Sequence, residues 1–279
     1  MKKWHWFGLI GIVIVIILVI MELLIPYLSP QVQFVRKVYE KNGYVLGDYG
    51  RGMNYISSSG TLCALSKVEY ISLSKGDIAE FDFNGLKVIR DKYGLNLCHT
   101  NLTDSQLKTI CQFKNIRSLD ISGCKNITNE GIREIANLEN LESLSICDTS
   151  CTDAEIRLVK DLPKLESLWL TRTQVDGSCF CTNDGWRTLQ FLDLGRCKLK
   201  DEVFDFLPNF VFLRNLSFSL NEGDQLPPNF YNLMKNKELW GIFIYTRNLD
   251  EQAREDLQKE IEDKFNNPSS AIYVCEEER

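Results

Sequence analysis

Eight times along the chain two apolar residues flank a single variable one, and the intervals between these pairs are almost constant. The pairs are Ile71/Leu73, Leu95/Leu97, Leu119/Ile121, Leu144/Ile146, Leu168/Leu170, Leu192/Leu194, Leu216/Phe218 and Ile242/Ile244. Counted from the second members, the steps are 24, 24, 25, 24, 24, 24 and 26 residues. A period of that length describes one structural unit that cannot bury its apolar face alone and must stack on copies of itself. The chain is therefore expected to be an open stack of coils rather than a closed globule.

Within a unit, side chains alternate with period two along an extended segment, so Leu144 and Ile146 share one face while Ser143, Ser145 and Cys147 share the other. Three residues beyond each pair stands a short side chain, Thr100, Cys124, Thr149, Thr173, Cys197 or Asn221, able to turn inward and satisfy backbone polar groups. An apolar residue follows (Leu102, Ile127, Cys151, Val175, Leu199), and in two units Thr103-Asp104 and Thr152-Asp153 supply helix N-caps. Leu107/Ile110, Ile132/Ile135/Leu138 and Ile156/Val159/Leu162 then have helical spacing. Each unit reads as a strand on the concave side and a short helix on the convex side.

Leu168-Trp-Leu170-Thr-Arg-Thr173-Gln-Val175-Asp176 resembles the leucine-rich repeat family, in the bacterial membrane-tethered version with a threonine at the turn. Ile121-Ser-Gly-Cys124-Lys-Asn-Ile127-Thr128 resembles the cysteine-containing variant of ubiquitin-ligase substrate receptors. The resemblance implies an α/β fold: a right-handed solenoid, or horseshoe, of about eight parallel strands. It implies little about function, because sites are grafted onto folds.

The amino terminus carries the other strong signal. Met1-Lys2-Lys3 precedes an apolar run from Trp4 to Leu28, interrupted late by Glu22. About 20 apolar residues suffice to span a bilayer as a helix, and Glu22-Leu-Leu-Ile-Pro-Tyr provides no small-x-small cleavage site. Residues 1–28 are read as one uncleaved transmembrane helix. Lys2 and Lys3 are nearly balanced by Arg36, Lys37 and Lys41 beyond the run. The lysines lie closer to it, which places the repeats outside the cytoplasm.

The remaining organisation follows from these signals. Residues 29–65 are expected to form an amino-terminal cap with an amphipathic helix carrying Val32, Val35, Val38 and Tyr39, residues 66–249 the solenoid, and residues 250–279 a carboxy-terminal cap. In that last cap Ala253, Leu257, Ile261 and Phe265 share a helix face and Ala271 to Cys275 form a closing strand. Such a cap covers apolar core and strand edge at the open end of a stack.

Catalysis and cofactors find no support in the motifs. Asp120 and Asp193 both face the concavity, but three strand spacings put them roughly 14 Å apart, too far for an acid/base pair, and they read as solvated. His99 is the one histidine outside the amino-terminal run, and no phosphate-binding loop or nucleophile elbow occurs. Of ten cysteines, most read as small buried hydrophobes. Cys124 with Cys197, and Cys98 with Cys147, are separated by too many strands to bridge. Cys179 and Cys181 are open to either a disulfide or free thiols, and no histidine cluster makes them a metal site. No cofactor, metal or catalytic step is expected, and a net charge of −6 without a basic stripe argues against nucleic acid.

Binding of a protein or peptide ligand remains, and the outward positions of the strands locate it. The first half of the concave face is small and polar, whereas Trp169, Phe191, Phe243 and Tyr245 are aromatics among polar neighbours, the usual make-up of interface anchors. With Asp120 and Asp193 they form the expected ligand-binding set. Trp186 and Trp240 read as packing residues on the convex side or strand edge. The competing functions are a structural envelope component that self-associates and a ubiquitin-ligase substrate receptor, for which no adaptor-binding module is recognised.

Overall fold

A computed structural model describes residues 30–48, 53–55, 67–182, 185–220, 225–247, 249–264 and 271–276. The expected transmembrane helix at 1–28 lies outside the described residues, as do Phe265 and much of the 29–65 segment. Among the described residues no helix is long and apolar enough to cross a membrane.

The coils stack through one eleven-stranded sheet. The parallel part runs β3 (Lys67–Ser72), β4 (Tyr93–Asn96), β5 (Ile116–Asp120), β6 (Ser143–Ser145), β7 (Ser167–Trp169), β8 (Phe191–Leu194), β9 (Asn215–Leu220), β10 (Gly241–Thr246) and β11 (Ala271–Glu276). Its register puts Ile71, Leu95, Leu119, Leu144, Leu168, Leu192, Leu216, Ile242 and Ile272 side by side. These side chains and the second members of the pairs are buried in one continuous core. Slipping any strand by one residue would turn its leucines outward, so the burial of this spine fixes the register.

Each strand leaves the sheet through the same turn. Lys75, His99, Gly123, Asp148, Arg172 and Arg196 occupy equivalent positions with φ between 54° and 68°, and only one of the six is the glycine that left-handed backbone favours. The turn persists because the sheet ladder continues through it: Lys75, His99 and Asp148 donate their N–H groups to Cys98, Ser122 and Thr171 carbonyls at 2.7–2.9 Å. The short side chains after the turn close it, Thr100, Thr149 and Thr173 donating to Leu97, Ile146 and Leu170 carbonyls at 2.7–2.8 Å. Where cysteine replaces threonine the thiol reaches the preceding coil, Cys124 to the Leu97 carbonyl and Cys197 to that of Leu170. The threonine and cysteine units thus stitch neighbouring coils together in pairs.

On the convex side lie α2 (Asp104–Ile110), α3 (Asn129–Glu134), α4 (Asp153–Val159) and α5 (Val203–Phe206), of which α2 and α4 begin at the expected Thr-Asp lead-ins, while α3 follows Thr128 and α5 has no side-chain cap. Thr103 with Gln106, and Thr152 with Glu155, form complete capping boxes. The helical expectation does not extend to every unit. The segments at Phe83–Val88 and Phe230–Lys235 are 3₁₀ turns. The coil from Thr173 to Trp186 bears no helix among its described residues, because Gly177 and Gly185 adopt positive φ and Phe180 and Trp186 fill the volume instead, their rings 4.9 Å apart. Asp153 compensates there, accepting from the Asp176 and Cys179 N–H groups of that coil at 2.7 and 2.8 Å.

Asp176 in turn accepts from the Lys200 ammonium at 2.7 Å and the Ser178 N–H at 2.9 Å. The Lys200 bond, then the Ser178 bonds, hold its carboxyl well below the usual carboxylate range against an opposing desolvation. A depressed carboxylate stabilises the fold above its unfolded pKa of about 4 and loses that contribution as pH falls through the lower folded value. Asp176→Asn is therefore expected to lower the melting temperature at pH 7, with the gap to wild type closing as pH falls from about 4 toward 2. Thermal melts across that range measure it.

At the amino end α1 (Pro30–Glu40) buries Phe34, Val35 and Val38, then turns at Gly43 into β1 (Tyr44–Asp48). β1 pairs antiparallel with both β3 and β2 (Met53–Tyr55), so the first parallel strand does not end the sheet. A Cβ on Gly43 would stand 2.4 Å from the Ser72 carbonyl oxygen and 2.7 Å from Val38. Backbone cannot yield as a side-chain tip can. Gly43→Ala is expected to cost about 2–3 kcal/mol as overpacking, read as a lower denaturant midpoint. At the other end α6 (Glu251–Lys264) buries Ile261, and Gln258 bonds both the Ile272 carbonyl and the Val274 N–H of β11. β11 pairs in parallel along the whole of β10, covering the edge of the last repeat strand and lengthening the sheet by one.

Candidate functional site

The concave surface consists of three lateral rows of outward side chains. The central row reads Ser72, Asn96, Asp120, Ser145, Trp169, Asp193, Ser217, Phe243 and Tyr273. The first half of the surface is occupied with itself: Ser122 and Ser145 hydroxyls are 2.7 Å apart, and Ser118 donates to Ser143 at 3.3 Å. Short side chains already hydrogen-bonded to one another present little area or unmet polarity to a ligand.

The second half differs. Trp169, Phe191, Leu192, Asp193, Asn215, Ser217, Phe243 and Tyr245 line one open concavity of about 330 Å³. Its shape follows from register, since Trp169 lies beside Asp193, then Ser217, then Phe243, while Phe191 lies beside Asn215. The small residues of β9 form a floor between aromatic walls on β7/β8 and β10. Phe191 is 41% exposed, Trp169, Phe243 and Tyr245 half-buried. Five of the six residues expected from the sequence therefore converge here. Asp120 does not, because it sits on β5, roughly 10 Å of strand spacing from the nearest wall.

The aspartates are not simply solvated as expected. Asp120 accepts from the Ser122 N–H and Asp193 from the Gly195 N–H, both at 2.9 Å, and Asn96 does the same for Cys98. At all three places the side chain satisfies the backbone at the strand exit. Asp193 also accepts from the Thr171 hydroxyl at 2.9 Å.

Tyr273 was missed as a contributor. It is 48% exposed and stacks on Phe243, centroids 5.1 Å apart and planes 15° from parallel, extending the β10 wall onto β11. The alternation Ala271-Ile-Tyr-Val-Cys carries the signal, since burying Ile272 sends Tyr273 outward. Gly241 gives Phe243 room, because a Cβ there would meet its ring at 3.0 Å and Asn215 Oδ1 at 2.5 Å. The two other tryptophans among the described residues divide. Trp186 is buried against Phe180 and Phe210, whereas Trp240, expected to pack, is 53% exposed with the Arg214 guanidinium 4.8 Å above its ring.

All nine cysteines among the described residues are free thiols, Cys179 and Cys181 included. Burial pushes the thiol of Cys111 up to about 12, that of Cys151 likewise to about 12, and that of Cys179 higher. They stay protonated at neutral pH, which removes their nucleophilicity. Among the described residues no three histidine, cysteine, aspartate or glutamate side chains are grouped to hold a metal.

The family described as Leucine Rich repeat matches residues 114–136, which span β5 and α3. The chain is 32% identical over 115 residues to the "Putative adenylate cyclase regulatory protein" of Trypanosoma equiperdum, covering 39% of this chain and 17% of that protein. It is 42% identical over 77 residues to "F-box/LRR-repeat protein 4" of Bos taurus, covering 25% of this chain and 12% of that one. The chain thus spans less than a fifth of either relative. Among solved structures it is similar to an internalin (inlF) from Listeria monocytogenes, with 18% identity over 61% of this chain and 58% of that one, at a TM-score of 0.34. The stacked parallel ladder and the matched repeat are those of a leucine-rich repeat fold.

Proposed function

We propose that this chain is a membrane-anchored leucine-rich repeat binding protein of the bacterial tethered type, which captures a protein or peptide ligand on its concave face without a catalytic step. Residues 1–28 serve as a transmembrane anchor, and the repeats stand outside the cytoplasm. The observation that carries the capture reading is the aromatic-walled concavity on β7 to β10, where five of the residues picked from sequence alternation meet. Strands held by lateral hydrogen bonds present these side chains already in place, which limits the ordering cost of association.

The anchor is tested by alkaline extraction of membranes from cells making the full chain, followed by protease treatment of intact cells. Retention in the pellet and digestion of the repeats are expected; release into the supernatant overturns the anchor, and protection of the repeats overturns the orientation. Capture is tested by selecting a displayed random-peptide library on the full chain in non-ionic detergent. Enriched peptides that bind equally to Trp169→Ala, or no enrichment at all, overturn the concave site.

A structural role in the envelope is the second reading. It is favoured by β11, whose outer edge pairs with no other strand among the described residues, since such an edge can template self-association. Sedimentation of the full chain over a range of concentrations separates the two, growth in size with concentration supporting the structural role.

A further inference from the structure

The chemistry of the concavity specifies what kind of side chain it takes. Asp193 lines it together with the aromatic walls, and among the described residues no lysine, arginine or histidine does. An ionised carboxylate offers about four acceptor positions. Asp193 uses two, for the Gly195 N–H and the Thr171 hydroxyl, and forms no ion pair among the described residues. Acceptor capacity is thus left over on the strand position beside Trp169, in the concavity that Phe191 also lines.

A purely apolar ligand group seated here would strip water from a carboxylate and from the Asn215 and Ser217 side chains without replacing its bonds, which is unfavourable. An anion would meet Asp193 and a chain of net charge −6. A cation meets both needs, because aromatic faces attract positive charge and the carboxylate pairs with it. Guanidinium fits better than ammonium, being planar enough to stack on an indole while its fork reaches a carboxylate. The walls on β7 and β10 are three strand spacings apart, roughly 14 Å, room for about four residues of extended chain at up to 3.6 Å each.

We propose that the concavity binds an arginine side chain presented by an extended segment of a protein ligand, with the guanidinium on Trp169 and paired to Asp193. This rests on the capture reading above and names the recognised group.

The test uses the full chain in detergent, labelled with 5-fluorotryptophan, the Trp169 resonance being assigned with Trp169→Phe. The probes are capped pentapeptides of glycine with arginine, lysine, citrulline or glutamate at the centre. The arginine peptide is expected to shift the Trp169 resonance, lysine to do so more weakly, and citrulline and glutamate to need at least about tenfold higher concentration, the loss of a charge-assisted pair. Asp193→Asn is expected to reduce the arginine response to the citrulline level. Its amide oxygen and the two-way Thr171 hydroxyl preserve the turn, which an unchanged melting temperature verifies. Asp120→Asn, which makes the same turn bond away from the aromatics, should leave the response intact. Equal response to arginine and citrulline, no effect of Asp193→Asn, or an equal effect of Asp120→Asn overturns the proposal. The capture reading survives that result if library-selected peptides still require Trp169, and falls with it if they do not.

Discussion

Leu144→Asp is expected to abolish cooperative folding of the repeats. Leu144 lies on β6 with Leu119 and Leu168 on either side and is fully buried. Removing a buried leucine side chain alone costs about 3–5 kcal/mol, and an unpaired carboxylate in its place adds several more through lost hydration. The total is comparable to the whole stability of an ordinary domain, roughly 5–15 kcal/mol. A stack amplifies the loss, since each coil contacts only its neighbours and a broken middle coil deprives both halves of an interface. The expected circular dichroism melt shows no cooperative transition. Leu144→Ala, by contrast, is expected to melt cooperatively at a lower temperature. A cooperative transition in Leu144→Asp near that of wild type would mean that the leucine spine is not the core.

Trp169→Ala is expected to do the opposite, sparing the fold and removing capture. The indole is half-buried at the wall of the concavity, outside the buried spine, so truncation opens no sealed cavity and the melting temperature should fall by only a few degrees. Central aromatic anchors commonly contribute about 2 kcal/mol or more to association, which is roughly a 30-fold loss of affinity. Titration of library-selected peptides against both proteins measures it. Parallel loss of stability and binding would make Trp169 a core residue and remove it from the site.

Most of the scaffold was legible because its signal is redundant. Any one Leu-x-Leu is common, but repetition at a near-constant interval leaves stacking as the way to bury them all, and the register of β3 to β10 follows the spacing. The threonine caps at 103 and 152 were legible for a local reason, since a cap is written within four residues. What escaped was set by contacts between coils. The helix-free coil around Gly177, the exposed Trp240 and the turn bonds of Asp120 and Asp193 depend on what a neighbouring segment does.

The candidate site divides in the same way. Alternation alone determined that Trp169, Phe191, Phe243 and Tyr245 point away from the core, because a strand sends successive side chains to opposite faces. Only the tertiary structure decided that they surround one floor. The offset between β7, β8 and β10, the smallness of Ser217 between them and the stacking of Tyr273 on Phe243 are relations between strands dozens of residues apart. Period and polarity are properties of a chain read in order, and so they place residues on faces; the lateral pairing that gathers those residues into a hollow exists only once coils lie against each other.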